Sequence, residues 1–294
     1  MIDKVVNIKD MKKADVVILS APYEGGVSFM GGTAKAPQKI LHCLNNNLEL
    51  FNVELHCEPA KILQTVHKEV LGLKKLIPEK AVKKINSEYQ KLFNSKKLIL
   101  ILGGEHTVSI GALEAISKKE NPKNITVLQI DAHQDLRDNN GDYSEKKDKY
   151  AHSCAIRRIH EFGFPIVQVG VRTYSKYEYK YWQKNKKTIT VFEWNKNIIP
   201  VEKILKSIKT KKIYLTIDVD GFDPAYMPGT GTPVQGGLSW YYGIDLIKRA
   251  INTKELIGAD IVEVSPMRDS VLTEYGAAQL VYNIITGKFR KKLK

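Results

Sequence analysis

The chain reads as an α/β protein with a central, mostly parallel sheet covered by helices on both faces. Three observations predict this. Short, nearly continuous apolar runs alternate with longer segments of helical pattern, as expected for strands buried on both sides. The helical segments are long enough to serve as crossovers between parallel strands. Three of the apolar runs end directly in carboxylate or imidazole residues, and in sheets of this kind ligands bind beyond the carboxyl ends of the strands.

The elements follow in order. Asp15 to Ser20 is the first strand, and Pro37 to Leu44 the first helix, with proline in a first turn where its missing N–H costs nothing. Lys61 to Lys75 reads as a lysine-rich, helix-like segment, and Pro78 to Phe93 is helical. Leu98 to Leu102 is a strand, Ser109 to Lys118 a helix, Ile125 to Ile130 a strand, and Ser153 to Phe162 a helix. Ile166 to Val171 and Thr188 to Phe192 are strands around a helix at Lys176 to Lys184. Val201 to Ser207 is helical and Ile213 to Ile217 a strand; a helix at Ser239 to Ile251, a strand at Ala259 to Val264 and a helix at Ala277 to Ile285 complete the alternation. No linker interrupts it, so residues 1–294 read as a single domain.

The chemistry lies at the strand ends. Ile130 runs into Asp131, His133 and Asp135; Ile217 into Asp218, Asp220 and Asp223; Leu102 into Gly103-Gly-Glu105-His106. In an extended segment the side chains at i, i+2 and i+4 share one side, so Asp131, His133 and Asp135 can face a common point, and Asp218 and Asp220 repeat the spacing. Two imidazoles and four carboxylates make a hard, anionic donor set of six. That exceeds what one four-coordinate ion uses, and suits two divalent ions sharing carboxylates, with manganese the best match among common metals. Such a pair lowers the pKa of a shared water and supplies hydroxide at neutral pH, the chemistry of a hydrolase. Taken alone, Asp223-Pro224 reads as a turn, and Asp218 or Asp220 as a strand-end cap.

These motifs resemble those of the ureohydrolase family, which includes arginases and agmatinases. The resemblance rests on Gly103-Gly-Glu-His106, Asp131-Ala-His-Gln-Asp135 and the run from Asp218 to Pro233. It extends to Ala21-Pro-Tyr-Glu-Gly-Gly26, Gly31 to Pro37, Gly170-Val-Arg172 and Val262-Glu-Val-Ser-Pro266. It implies the three-layer α/β/α arginase-like fold, usually as a homo-oligomer (a trimer or hexamer), and two Mn2+ per chain. One ion would be held by His106, Asp131, Asp135 and Asp218, the other by His133, Asp131, Asp218 and Asp220, with Asp131 and Asp218 bridging. His152 resembles the family's proton-relaying histidine and Glu263 the glutamate that receives a guanidinium. With Asp135, these two make up the catalytic set that the resemblance implies, and both also contact substrate. The implied reaction is hydroxide attack on a guanidinium carbon, followed by collapse to urea and an amine, with a small cationic guanidino substrate.

Two stretches depart from the family pattern. The connection from Asp135 to His152 is long and charged, carrying Asp138, Asp142, Glu145 and Asp148 beside Arg137, Lys146, Lys147 and Lys149. Arg137 stands where arginases carry an asparagine, a pattern closer to agmatinases, and the implied substrate is agmatine, yielding putrescine and urea. Arginine or another guanidino compound is the alternative, since Arg137 can pair with a substrate carboxylate. A zinc-dependent deacetylase would use fewer carboxylates, and a non-catalytic relative would lack a ligand. The segment Ser28 to Pro37 lacks the arginines that many relatives carry there.

Composition excludes several classes. A chain of 294 residues with 43% hydrophobic content can bury a large core. Its net charge of +14 comes from lysines spread along helix-like segments, including Lys61 to Lys75 and Pro78 to Lys97. Arginine, the preferred reader of bases and phosphates, occurs only at 137, 157, 158, 172, 249, 268 and 290, so no nucleic-acid partner is expected. Asp3 and Asp10 stand among the N-terminal lysines, and the run Val16 to Leu19 is too short for a signal sequence. No apolar stretch reaches membrane-spanning length. Cys43, Cys57 and Cys154 are widely spaced, which suits a reducing, cytoplasmic compartment. His42, His56, His67 and His160 match no motif and read as surface or locally satisfied residues, and Cys154 has no support as a nucleophile.

Overall fold

The computed structural model describes residues 4–93, 97–145, 147–195 and 198–294, so Asp3 and Lys146 lie outside the described residues. In chain order the elements are β1 (Val16–Ala21), α1 (Ala36–Asn46), α2 (Pro59–Ile62), β2 (Thr65–Glu69), α3 (Pro78–Leu92), β3 (Leu98–Gly103), α4 (Thr107–Ser117), β4 (Ile125–Ile130) and α5 (Ala155–Glu161). There follow β5 (Ile166–Val171), α6 (Lys176–Lys184), β6 (Ile189–Glu193), α7 (Val201–Ser207), β7 (Lys212–Asp218), α8 (Trp240–Thr253), β8 (Glu255–Val262), α9 (Leu272–Lys288) and α10 (Arg290–Leu293). The eight strands form one sheet in the order β2-β1-β3-β8-β7-β4-β5-β6, and every pairing is parallel.

Strand alternation explains why the apolar runs are nearly continuous. Leu98, Leu100 and Leu102 point into one core with Ile213, Leu215 and Ile217, while Ile99 and Ile101 point into the other with Val17 and Leu19. Each face is covered by helices, giving three layers. The α1 and α9 helices supply Ile40, Leu44, Ala278 and Val281 to the first core; α3 and α4 supply Ala81, Ile85, Ala112 and Ile116 to the second. Local chemistry sets the helix ends. Ser175 opens α6 with a capping box closed by Glu178, and the Ser239 hydroxyl accepts the Tyr242 N–H at the start of α8.

One expectation fails. Lys61 to Lys75 is not a helix: it divides into the end of α2, the edge strand β2 and a turn. β2 pairs only with β1, and His67, Lys68 and Glu69 are partly or fully exposed. An edge strand with one wet side carries charge that mimics a helical surface pattern. The last strand also begins earlier than expected and stops at Val262, because Glu263 adopts a left-handed backbone with φ 63°. Among the described residues no helix is long and apolar enough to cross a membrane.

Candidate metal centre and active site

The candidate residues come from four strands adjacent in the sheet, β3, β8, β7 and β4. His106 follows β3 and caps α4; Asp131, His133 and Asp135 follow β4; Asp218 ends β7 and Asp220 lies in the short turn after it; Glu263 follows β8. Close approach of these ends requires glycine. A Cβ on Gly104 would stand 1.9 Å from the Tyr23 carbonyl oxygen, and one on Gly221 would stand 2.6 Å from the Asp131 nitrogen.

The structure brings five of the six sequence-predicted donors together in two overlapping groups, His106 with Asp131 and Asp135, and His133 with Asp131 and Asp220, and places the sixth, Asp218, beside the first group. His106 Nδ1 lies 3.2 Å from Asp131 Oδ2, 3.0 Å from Asp135 Oδ2 and 3.6 Å from Asp218 Oδ2. His133 Nδ1 lies 3.0 Å from Asp220 Oδ2 and 3.6 Å from Asp131 Oδ1. Asp131 therefore faces both imidazoles with different oxygens, the placement a bridging carboxylate needs.

Two observations show that this set fits cations. The fully buried Nδ1 of His106 makes no hydrogen bond of good geometry. The carboxylates are also crowded beyond what they tolerate unpaired. Burial, then the charge of Asp131, raises the pKa of Asp135; burial, then Asp220, Asp131 and Glu263, raises that of Asp218. A divalent ion would relieve this repulsion and give the His106 Nδ1 a partner. The donors are oriented from behind. Gln129 Nε2 donates to Asp131 Oδ2 at 2.6 Å and the Ala132 N–H to Asp220 Oδ1 at 3.0 Å, while His106 Nε2 meets Thr216 Oγ1 at 2.9 Å. Arg172 donates to the carbonyls of Gly170, Asp220, Val234 and Gln235, pinning the turn after β7.

His152 and Glu263 form a second group beside the first. Glu263 Oε1 accepts the His106 N–H at 2.8 Å and lies 3.5 Å from His152 Nδ1. Burial opposes charge on His152, but Glu263, then Asp135 and Glu105, outweigh it and push its pKa up to about 9. The surrounding carboxylates thus favour the charged form of the imidazole. Glu105, which sequence reasoning did not single out despite its place in the motif before His106, is fully buried here. It accepts the Gly26 N–H on both oxygens, and burial first, with Glu263 also raising it, brings its pKa to about 7. Asp135 and Glu263 are two of the described non-glycine residues with positive φ, 52° and 63°, a strained backbone of the kind that gathers at functional sites.

The long connection after Asp135 is internally paired. Arg137 forms an ion pair with Asp142, approaches Glu178 at 3.7 Å and lies over the Tyr143 ring. Asp138 pairs with Arg158 at 3.2 Å. The Tyr143 hydroxyl meets Ser153 Oγ at 2.6 Å, and its ring edge contacts His152. A cavity of about 300 Å³ opens between this connection and the loop after β1, lined in part by Gly26, Asn140, Tyr143 and Asp148.

The residues read as local structure are so placed. Asp223 accepts the N–H groups of Ala225, Gly236 and Gly237, so it shapes a turn. His160 lies between Tyr181 and Thr188, and His67 against Ser20. His42 contacts Asn46 and His56 stacks on Phe51. Burial pushes the Cys154 thiol up to about 12, too high for a nucleophile at neutral pH.

Eight parallel strands between helical layers, with this cluster at their carboxyl ends, define an α/β/α protein with a candidate two-metal site. The arginase family model matches residues 14–287, and the chain belongs to that family. It is 32% identical to an N(1)-aminopropylagmatine ureohydrolase of Synechocystis sp. over 92% of this chain and 88% of that one. It is 30% identical to an agmatinase of Pyrococcus horikoshii over 94% of this chain and 93% of that one. The solved agmatine ureohydrolase of Thermoplasma volcanium superposes with a TM-score of 0.82 at 26% identity, covering 98% of this chain and 96% of that one. The chain is thus a guanidino-compound ureohydrolase, closely related to agmatinase-type enzymes.

Proposed function

We propose that this enzyme hydrolyses agmatine to putrescine and urea with two manganese ions. The observation that carries the choice of a cationic tail is the pairing of Arg137. Its guanidinium is engaged by Asp142 and Glu178, so it is not offered to the carboxylate of arginine or of a guanidino acid. A carboxylate brought into a site without a donor for it is strongly disfavoured.

His106, Asp131, Asp135 and Asp218 would hold one ion and His133, Asp131, Asp218 and Asp220 the other, and the mixed carboxylate and imidazole set suits manganese. When bound, such a pair supplies hydroxide at neutral pH. Glu263 receives the guanidinium, for which a carboxylate is the natural planar partner. His152, whose charged form the surrounding carboxylates favour, holds a proton at the site and gives it to the departing amine.

A second reading keeps the chemistry and lengthens the tail. It is favoured by the 32% identity to the Synechocystis enzyme named for N(1)-aminopropylagmatine. Steady-state turnover of the manganese-loaded enzyme on agmatine, aminopropylagmatine, arginine and guanidinobutyrate tests both. The expected kcat/KM for agmatine exceeds that for arginine by at least about a hundredfold, or about 2.7 kcal/mol in transition-state binding. Comparable values for agmatine and arginine would overturn the assignment, and a clear preference for the aminopropyl compound would favour the second reading.

A further inference from the structure

Behind His106 lies a buried chain of polar groups that reaches no solvent. Asp260, on β8, is fully buried in a strand otherwise lined with Leu256, Ala259 and Ile261. In the parallel pairing of β7 with β8 its register partner is Thr216, so the two side chains are lateral neighbours on one face of the sheet. That face carries α4, whose N-terminus is His106. Thr216 Oγ1 donates to Asp260 Oδ1 at 2.5 Å, and Tyr214 OH donates to Asp260 Oδ2 at 2.8 Å. Gly258, the register partner of Tyr214, leaves room for that ring: a Cβ there would stand 2.8 Å from Tyr214 Cε2.

Hydrogen-bond direction has a consequence for the imidazole. A hydroxyl has one proton, and that of Thr216 is committed to the acceptor-only carboxylate. The contact between Thr216 Oγ1 and His106 Nε2, 2.9 Å long, must then be donated by the ring. The ring keeps its hydrogen on Nε2 and turns Nδ1 toward Asp131, Asp135 and Asp218.

We propose that Asp260 is a positioning residue for His106, acting through Thr216 to hold the ring hydrogen on Nε2 and present a bare Nδ1 to a divalent ion. Outer partners of this kind orient a metal-binding histidine and select its tautomer. Burial raises the pKa of Asp260, while His106 and the hydroxyls of Thr216 and Tyr214 favour its carboxylate form, the form that can only accept from Thr216. An asparagine at 260 can donate to Thr216, freeing that hydroxyl to donate to Nε2 and leaving the ring hydrogen on Nδ1, where it blocks the ion.

The inference rests on the two-metal reading above. Its test is the number and affinity of manganese ions retained by the full chain against a graded chelator, with Asp260→Asn, Thr216→Val and Thr216→Ser compared with the parent. Thr216→Val is nearly isosteric and guards against a folding defect in Asp260→Asn. Asp260→Asn and Thr216→Val are expected to weaken one of the two sites by about 10- to 100-fold while the other is kept. Thr216→Ser should stay close to the parent. A general structural defect would lower both sites together and would not be rescued by serine. Parent-like retention of both ions in Thr216→Val, with the parent binding two, overturns the role of Asp260 alone. A parent chain that takes up no divalent ion overturns the metal reading and this inference with it.

Discussion

His152 owes its charge to its neighbours, and two outcomes follow at the scale of that residue. In its proposed role as proton donor it is held in the charged form by these carboxylates, and His152→Asn is expected to lower kcat by about one to three orders of magnitude, within the reach of general acid catalysis. Manganese content should not change. Full turnover in the variant would reduce His152 to a helix-start residue. The same pairing sets a stability window. The folded pKa is raised from 6.5 to about 9, so the contribution to stability is complete below pH 6.5 and is lost as pH rises through about 9. Denaturation midpoints of the metal-free chain should fall across that range, and less so in His152→Asn; equal slopes for the two would refute the pairing. The clustering of these side chains was legible in the sequence because alternate spacing after an apolar run is a geometric statement. Asp135 was legible for a partly wrong reason, since it turns toward the cluster with φ 52° instead of continuing the extended strand. Asp260 and Thr216 were not legible as partners. Each sits inside an apolar strand, and only the register of β7 against β8 brings them together.

Between elements, the end of β5 is fastened to the segment that follows β7 by a single side chain. Arg172, just after β5, spans carbonyls on both sides of β7's outgoing turn, including those of Asp220 and Val234. Lysine keeps the charge but lacks the planar fork that reaches several carbonyls at once. Arg172→Lys is therefore expected to cost about 1–3 kcal/mol by denaturant unfolding and to loosen manganese retention, because Asp220 belongs to the same turn. An unchanged midpoint together with unchanged retention would show that the turn holds its shape without the arginine. The long elements and the buried strands were legible, with β4, β5, α6 and α7 placed at the expected residues. What escaped was β2, where exposure of one side at the sheet edge replaced the apolar run with lysine, glutamate and histidine. The span of α9 was also underestimated, since Thr273 and Glu274 are polar yet buried in its first turn.

For the whole molecule, charge is distributed unevenly. The chain carries +14 overall, yet its buried strand ends gather Asp131, Asp135, Asp218 and Asp220 together with Glu105 and Glu263. Lysine spread over the surface does not neutralise carboxylates that are sealed from it, so the compensation has to be local. A divalent ion that binds only the folded chain stabilises it by about 2.7 kcal/mol per site at a hundredfold excess over its Kd. For a chain of this size that corresponds to a rise in Tm on the order of 5 °C per site. Manganese should thus raise the melting temperature and a chelator should lower it. Asp131→Asn should lose most of the rise, because that side chain faces both imidazoles. Protons compete with ions for the imidazoles and carboxylates, so at a fixed manganese concentration the shift should shrink as pH falls. Melting curves that coincide with and without manganese from neutral to mildly acidic pH would mean that the fold tolerates this buried negative charge unaided, and the two-metal assignment would fall.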